Sequence, residues 1–501
     1  MPAPNEYRED HHGSLPAFAT GPLTLVVAAL AALLTALSGR YGFHRDELYF
    51  LVAGDRPAWG YVDQPPLTPL LARASVALFG DTPAGLRVVA TLLSVLAVVV
   101  VALLARELGG GRHAQVIAAC CAAASGVVLA LGHMVNTASF DLLAWLLISL
   151  LVLRLLRTSD GRWYLAIGAV VGVGMLNKRL VALLVLALLF ALLAVGPRRM
   201  LRTWWLVAGA AIAVGLALPN LWWEAAHGWP QLAVAARIAE REGGENRALF
   251  VPLQIVQLSP LFVPIWVAGL IRLWRDPAVR WARSFALAYP LLVVVVLTLG
   301  GRSYYVLPLL IAVMAAGAVP VVRWARVGRR PRVLAASILV AAAVNIVIAL
   351  PVLPPRALHV VNAVNDTQGE QIGWPVMVST VAQAWRQIPP EQRPRAVILA
   401  HNYGEAAALA RYGAEHGMPA AYSAHMSYAD WAVPPDSADG PVLLVLPGHV
   451  RWVLPFFTGC RPLARIDNGY GLDNELQKNV VRLCSGTGAP WSVLWPRLRH
   501  Y

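Results

Sequence analysis

Long apolar runs recur through the first 350 positions, each ended by a short polar stretch. Runs of this kind read as membrane-spanning helices, because about 20 apolar residues cross a bilayer core. They fall near 18–39, 86–105, 114–132, 138–156, 162–176, 179–196, 203–222, 253–273, 284–300, 303–322 and 332–353, eleven segments in all. The polar triplet Asn177-Lys178-Arg179 divides one long run into two and reads as a tight turn at the membrane face. Beyond residue 354 the pattern changes: strand-like runs, AVILA at 396–400 and PVLLVLP at 441–447, alternate with Ala-rich helical pieces such as Glu405–Gly417. The expected architecture is an all-α polytopic membrane bundle over residues 1–353, with an outer loop at 40–85, followed by a small α/β domain over 354–501.

Composition sharpens this picture. A length of 501 residues would accommodate several soluble domains, but 58% hydrophobic and 14% charged residues exclude them. A net charge of +14 would point to nucleic acid in a soluble protein; here it follows from the Lys/Arg bias of cytoplasmic connections, and no nucleic-acid partner is expected. The polar start MPAPNEYREDHHG leads into an apolar run with no small-residue cleavage site, so no cleavable signal is expected.

Arginine orients the chain. The short connections Arg106–Arg112, Arg154–Arg162, Pro197–Arg202, Arg272–Arg283 and Arg323–Arg332 belong inside, and with a cytoplasmic N-terminus the odd helix count places residues 354–501 outside. Cys460 and Cys484 then lie where a disulfide can persist, or remain two separate thiols. Cys120 and Cys121, inside an apolar run, read as packing residues.

The opposite connections hold most of the acids, above all in His44–Pro66, HRDELYFLVAGDRPAWGYVDQPP. Asp46, Glu47, Asp55 and Asp63 stand there beside Trp59, Tyr61 and a proline pair. Carboxylates at the mouth of a membrane bundle are a functional signal, against the plainer reading of a solvated loop. Asp141, Lys178, Arg179, Glu224, His227, Arg302, Tyr304 and Tyr305 fall on the same side. Acids with fixed cations suit a displacement in which a carboxylate takes a proton and cations stabilise an anionic leaving group. Each also has a structural reading: Asp141 meets a helix N-terminus, Lys178 and Arg179 snorkel to the interface, and the tyrosines join an aromatic belt. His44, His133 and His227 match no standard metal spacing. No cofactor is required with certainty, and a divalent cation is compatible with the acids. Gly109–Gly111 lacks the strand and the following Lys-Ser/Thr of a phosphate loop.

Taken in order, the Asp46-Glu47 pair, GYVDQPPL, the acid Asp141 at a helix start, NKR at 177–179, NLWWEAAHGWP and RSYYVLPLL resemble the bacterial membrane glycosyltransferases related to protein O-mannosyltransferases and to the lipid A aminoarabinose transferase. These are GT-C, family-39-like enzymes, and HNYGEAAAL with the Trp491–Trp495 ending extends the resemblance into the C-terminal domain. The resemblance implies inverting transfer of a sugar from a polyprenyl-phosphate donor at the outer face of the cell membrane, to a protein, glycan or lipid acceptor. It makes Asp46 the general base and Glu47 a neighbouring acid that receives the acceptor. It places Asp63, Gln64 and Asp141 at the substrate, and leaves the donor phosphate to Lys178, Arg179 or Arg302, flanked by Tyr304 and Tyr305. Gln64 stands where the aminoarabinose transferases carry a lysine, so the donor need not be shared. The competing class is a transporter or flippase of lipid-linked glycans, which would show matching halves and helices broken near the midplane. Here the polar residues crowd one face and the halves do not match.

Overall fold

A computed structural model describes residues 15–501; the polar start read for signal cleavage lies outside the described residues. The membrane half comprises α1 (Thr20–Leu37), α2 (Arg45–Gly54), α3 (Leu67–Phe79), α4 (Pro83–Glu107), α5 (Arg112–Ala123), α6 (Gly126–His133), α7 (Thr137–Thr158), α8 (Trp163–Met175), α9 (Leu180–Val195), α10 (Trp204–Ala226), α11 (Pro230–Leu258), α12 (Val263–Arg275), α13 (Arg283–Thr298), α14 (Leu307–Trp324) and α15 (Arg330–Ala349). Among the described residues seven helices are long and apolar enough to cross a membrane, or nine when two bent pairs each count as one span. The shorter α8 and α9 complete the eleven apolar segments expected, joined by the turn at Asn177–Arg179. The protein is a multi-pass membrane protein.

The bends correct two of the expected spans. The segment 114–132 breaks by 60° between α5 and α6, and 253–273 breaks by 84° between α11 and α12. At the second break Ser259 takes φ +151°, and Pro260 has no N–H to continue the ladder. Most of the polar stretch left between the expected spans 203–222 and 253–273 is also helical: α11 begins at Pro230, because Ala, Arg, Glu and Leu dominate there.

The burial pattern separates centre from rim. α7 and α14 are buried along most of their length, whereas α1, α10 and α15 leave apolar surface uncovered, as lipid-facing helices do. α12 and α14 approach closely because glycines face each other: a Cβ on Gly317 would stand 1.9 Å from the Ile265 carbonyl, and one on Gly269 2.1 Å from that of Val313.

The C-terminal part folds around a five-stranded mixed sheet with Tyr422–Ser423 at one edge, then Val397–Ala400, Val442–Pro447 and Asn479–Cys484, and Arg461–Arg465 at the other edge. Its strands are β1 (Val397–Ala400), β2 (Tyr422–Ser423), β3 (Val442–Pro447), β5 (Arg461–Arg465) and β6 (Asn479–Cys484), and β4 (Phe457–Thr458) pairs with β7 (Gly486–Thr487) in a separate ribbon. β1 runs parallel to β2 and β3, and β6 antiparallel to β3 and β5. Strand alternation divides the core in two. Val397, Leu399, Leu444 and Leu446 pack with Trp491 and Trp495, whereas Ile398, Ala400, Leu443 and Val445 pack beneath the helices Trp374–Trp385 and Tyr403–Tyr412. That second core also takes in Phe43, Leu48, Tyr49 and Phe50 of the outer loop, so apolar packing crosses the boundary expected at 353/354. Cys460 and Cys484 are joined in a disulfide, and Cys120 and Cys121 are free.

Candidate active site

The two adjacent acids of α2 sit in different surroundings. His44 caps the helix: its Nδ1 accepts the Asp46 N–H at 3.1 Å, and Glu47 Oε2 accepts the His44 N–H at 2.9 Å. A helix begun this way turns positions 46 and 47 to different sides. Glu47 points inward and is fully buried against Arg87 of α4, with Nε to Oε1 at 2.9 Å and Nη2 to Oε2 at 2.7 Å. The Val135 N–H fills the remaining site at 3.1 Å. Every oxygen of Glu47 is occupied, which leaves it no reach toward an acceptor.

Asp46 points the other way, into the wall of a cavity of about 1060 Å³ between the membrane helices and the C-terminal part. Its side chain keeps 29% of its surface open. Oδ1 accepts the Tyr403 hydroxyl at 2.7 Å and lies 3.7 Å from Arg45 Nε; Oδ2 lies 3.8 Å from His44 Nδ1. Burial opposes ionisation, yet His44, Arg45, the Tyr403 hydroxyl and Arg302 together hold the carboxyl below its ordinary range. Asp63 behaves in the opposite sense. Burial pushes it up to about 6, against the Tyr49 hydroxyl that it accepts at 2.6 Å.

The cavity brings Asp46, Arg302 and Tyr304 together; Glu47, Asp63, Gln64, Asp141, Lys178, Arg179 and Tyr305 stand outside its lining. Arg302 is held in a bidentate pair by Glu242 of α11, with contacts of 2.8–3.0 Å. Lys178 lies 5.0 Å from the Tyr304 ring and 4.8 Å from that of Tyr305. Among the described residues it forms no ion pair. Arg179 instead bridges to the buried Glu224 at 3.0 Å. The Trp145 indole donates to Asp141 at 3.1 Å, and Gln64 is buried with neither amide atom hydrogen-bonded. The turn at 177–179 is tied to the outer loop, since Thr68 donates to Asn177 at 2.6 Å and the Leu67 N–H to Leu176 at 2.9 Å.

Sequence reasoning assigned no role to several residues of the cavity wall. Arg45 pairs with Glu475, and Glu370 accepts the Glu475 N–H at 3.0 Å. Burial and the neighbouring Glu475 push Glu370 up to about 7. Arg45 stood beside Asp46 in the same motif, whereas Glu242, Glu370 and Glu475 carried no spacing that links them to it. Among the described residues no group of three or more His, Cys, Asp or Glu side chains is arranged to hold a metal ion.

A helical membrane bundle with an α/β part closing a polar cavity over its mouth defines a class, and comparison places it. Residues 63–223 match the family model for dolichyl-phosphate-mannose-protein mannosyltransferase. The structure is similar to ArnT from Cupriavidus metallidurans bound to undecaprenyl phosphate, at 17% identity and a TM-score of 0.60, covering 93% of this chain and 98% of that one. It is equally similar to the apo state of that ArnT, at 16% identity and a TM-score of 0.61. None of the curated proteins matches in sequence. The chain has the GT-C fold of membrane glycosyltransferases, as its motifs implied.

Proposed function

We propose that this protein transfers a sugar from a polyprenyl-phosphate donor to an acceptor at the outer face of the membrane, with inversion and with Asp46 as general base. The observation that carries the reading is Asp46 itself, a part-exposed carboxylate held ionised in the wall of the polar cavity. The GT-C fold, with its likeness to a structure that holds undecaprenyl phosphate, supports a lipid-phosphate donor.

In this mechanism the acceptor oxygen bonds to the anomeric carbon as the bond from that carbon to the phosphate oxygen breaks. Asp46 takes the acceptor proton, and the polyprenyl phosphate leaves with the electron pair. Arg302 in the cavity wall, and Lys178 just behind the wall residue Tyr304, stabilise the charge that grows on the phosphate. No nucleotide is needed, because the lipid phosphate already holds the transfer potential. Holding donor and acceptor against one carboxylate supplies the proximity. Incubating purified protein with a panel of polyprenyl-phosphate sugars tests this. Release of polyprenyl phosphate is the expected result; an intact panel, with and without glycan, peptide and lipid acceptors, refutes it.

A further inference from the structure

Asp46 is held from the far end of the chain, 357 positions away, by the hydroxyl of Tyr403. We propose that Tyr403 is a positioning residue for this carboxylate, fixing Oδ1 so that Oδ2 is the oxygen left to take the acceptor proton. The proposal rests on the reading of Asp46 as base and adds a partner that neither the fold nor the motifs assign.

The tyrosine is held through its helix start, its backbone N–H and its ring. It is the first residue of the helix Tyr403–Tyr412, whose start is closed by a capping box: Asn402 Oδ1 accepts the Glu405 N–H at 3.0 Å, and Glu405 Oε2 accepts the Asn402 N–H at 3.1 Å. Its own N–H donates to His425 Nδ1 at 3.2 Å. Its ring lies 5.2 Å from that of His425, nearly parallel at 5°, and 4.7 Å from that of Tyr49. With helix start, backbone and ring all held, the hydroxyl is delivered to one place. That place is Asp46 Oδ1, where it makes a short bond of 2.7 Å to an ionised group.

The remaining neighbours explain why the two oxygens differ. Among the described residues, Oδ1 has Tyr403 and Arg45, whereas Oδ2 has the His44 ring at 3.8 Å. Burial holds His44 below its ordinary pKa, and its Nδ1 already accepts the Asp46 N–H. Arg302 acts from the segment before α14 and is itself paired with Glu242; Arg45 is paired with Glu475. Asp63 is linked less directly, through Tyr49, whose hydroxyl it accepts and whose ring packs on Tyr403. The C-terminal part is thereby a working part of the site rather than a lid over it.

Tyr403→Phe removes the hydroxyl and keeps the ring between Tyr49 and His425. We expect kcat to fall about tenfold or more while the donor KM stays put, as befits loss of one bond to a charged group. The acid limb of the pH profile should move to higher pH, because the lost donor favoured the ionised carboxyl. A fluorinated tyrosine at position 403, with the hydroxyl restored and more acidic, should return turnover and move the limb back down. Difference infrared titration of wild type, Tyr403→Phe and Asp46→Asn follows the Asp46 carboxylate without any substrate. A raised midpoint in Tyr403→Phe supports the bond even if no donor is turned over, a result that would sink only the functional reading. Folded Tyr403→Phe with an unmoved midpoint, or with wild-type kcat and acid limb, overturns the proposal.

Discussion

Glu47 and Arg87 form a doubly bonded ion pair from which both side chains have lost all contact with solvent. Arg87 Nη1 also donates to the Ser38 carbonyl and Nη2 to that of Gly42, each at 2.7 Å, so the pair locks the end of α1, the start of α2 and the wall of α4 together. Two charges taken out of water return little net stability, but removing one strands the other.

Arg87→Leu should therefore cost roughly 3–5 kcal/mol, seen as lost folded yield and a lower unfolding midpoint. Glu47→Leu on top of it should recover part of the loss, since no unpaired charge remains. If Glu47 instead received the acceptor, Glu47→Gln would give stable protein with a raised acceptor KM. Thermal unfolding in detergent alongside acceptor kinetics separates the two.

The two neighbouring cations of the turn should behave differently. Lys178→Gln breaks no ion pair within the described residues, so the expected outcome is a normal melting curve with donor KM raised about tenfold, the worth of one charge-assisted contact. Arg179→Gln leaves Glu224 buried without its cation, so its main effect should be on stability. Equal donor KM in both variants would shift the phosphate contact to Arg302.

The disulfide gives a check on both fold and side. Cys460 and Cys484 are 24 residues apart, a loop whose closure contributes roughly 3 kcal/mol in the chain-entropy model. Denatured, unreduced protein should titrate two thiols, Cys120 and Cys121, and reductant should lower the midpoint of the C-terminal part. Four titratable thiols would break the bridge, and with it the support it lends to an oxidising compartment.

The sequence was legible where one local rule decides the outcome. Apolar run length located the helices, and the runs at 396–400 and 441–447 are the central strands β1 and β3. It failed where distant polar groups choose one another. Arg87 lies inside an expected span, 40 positions from Glu47, and nothing in its spacing announces a partner. Adjacent acids looked like one neighbourhood until the cap at His44 fixed which way each points. The polar half of α11 was read as a connection because it lacks an apolar stripe, although its residues favour helix. Both broken spans end at serine with glycine or proline next, a signal present in the text of the chain but common to intact membrane helices.

The last prediction tells Asp46 from Asp63 as the base. A general base must be ionised, so turnover falls as pH drops through its pKa. Asp46 is held below the ordinary carboxyl range, whereas burial pushes Asp63 up to about 6. If Asp46 is the base, kcat/KM should stay level from neutrality down to about pH 5 and decline only below that, as the Asp46 carboxylate takes up its proton. If Asp63 is the base, the profile should bend near 6. Asp46→Asn keeps the size of the side chain and an oxygen for Tyr403 but removes the proton-accepting carboxylate. It should lower turnover by about 10²–10⁴-fold with folded yield and donor binding intact. Asp63→Asn should leave most of the rate, because the Asp63 carboxylate is already engaged by the Tyr49 hydroxyl. A bend near 6 that disappears in Asp63→Asn, together with wild-type turnover in folded Asp46→Asn, would move the base to Asp63 and the acceptor with it.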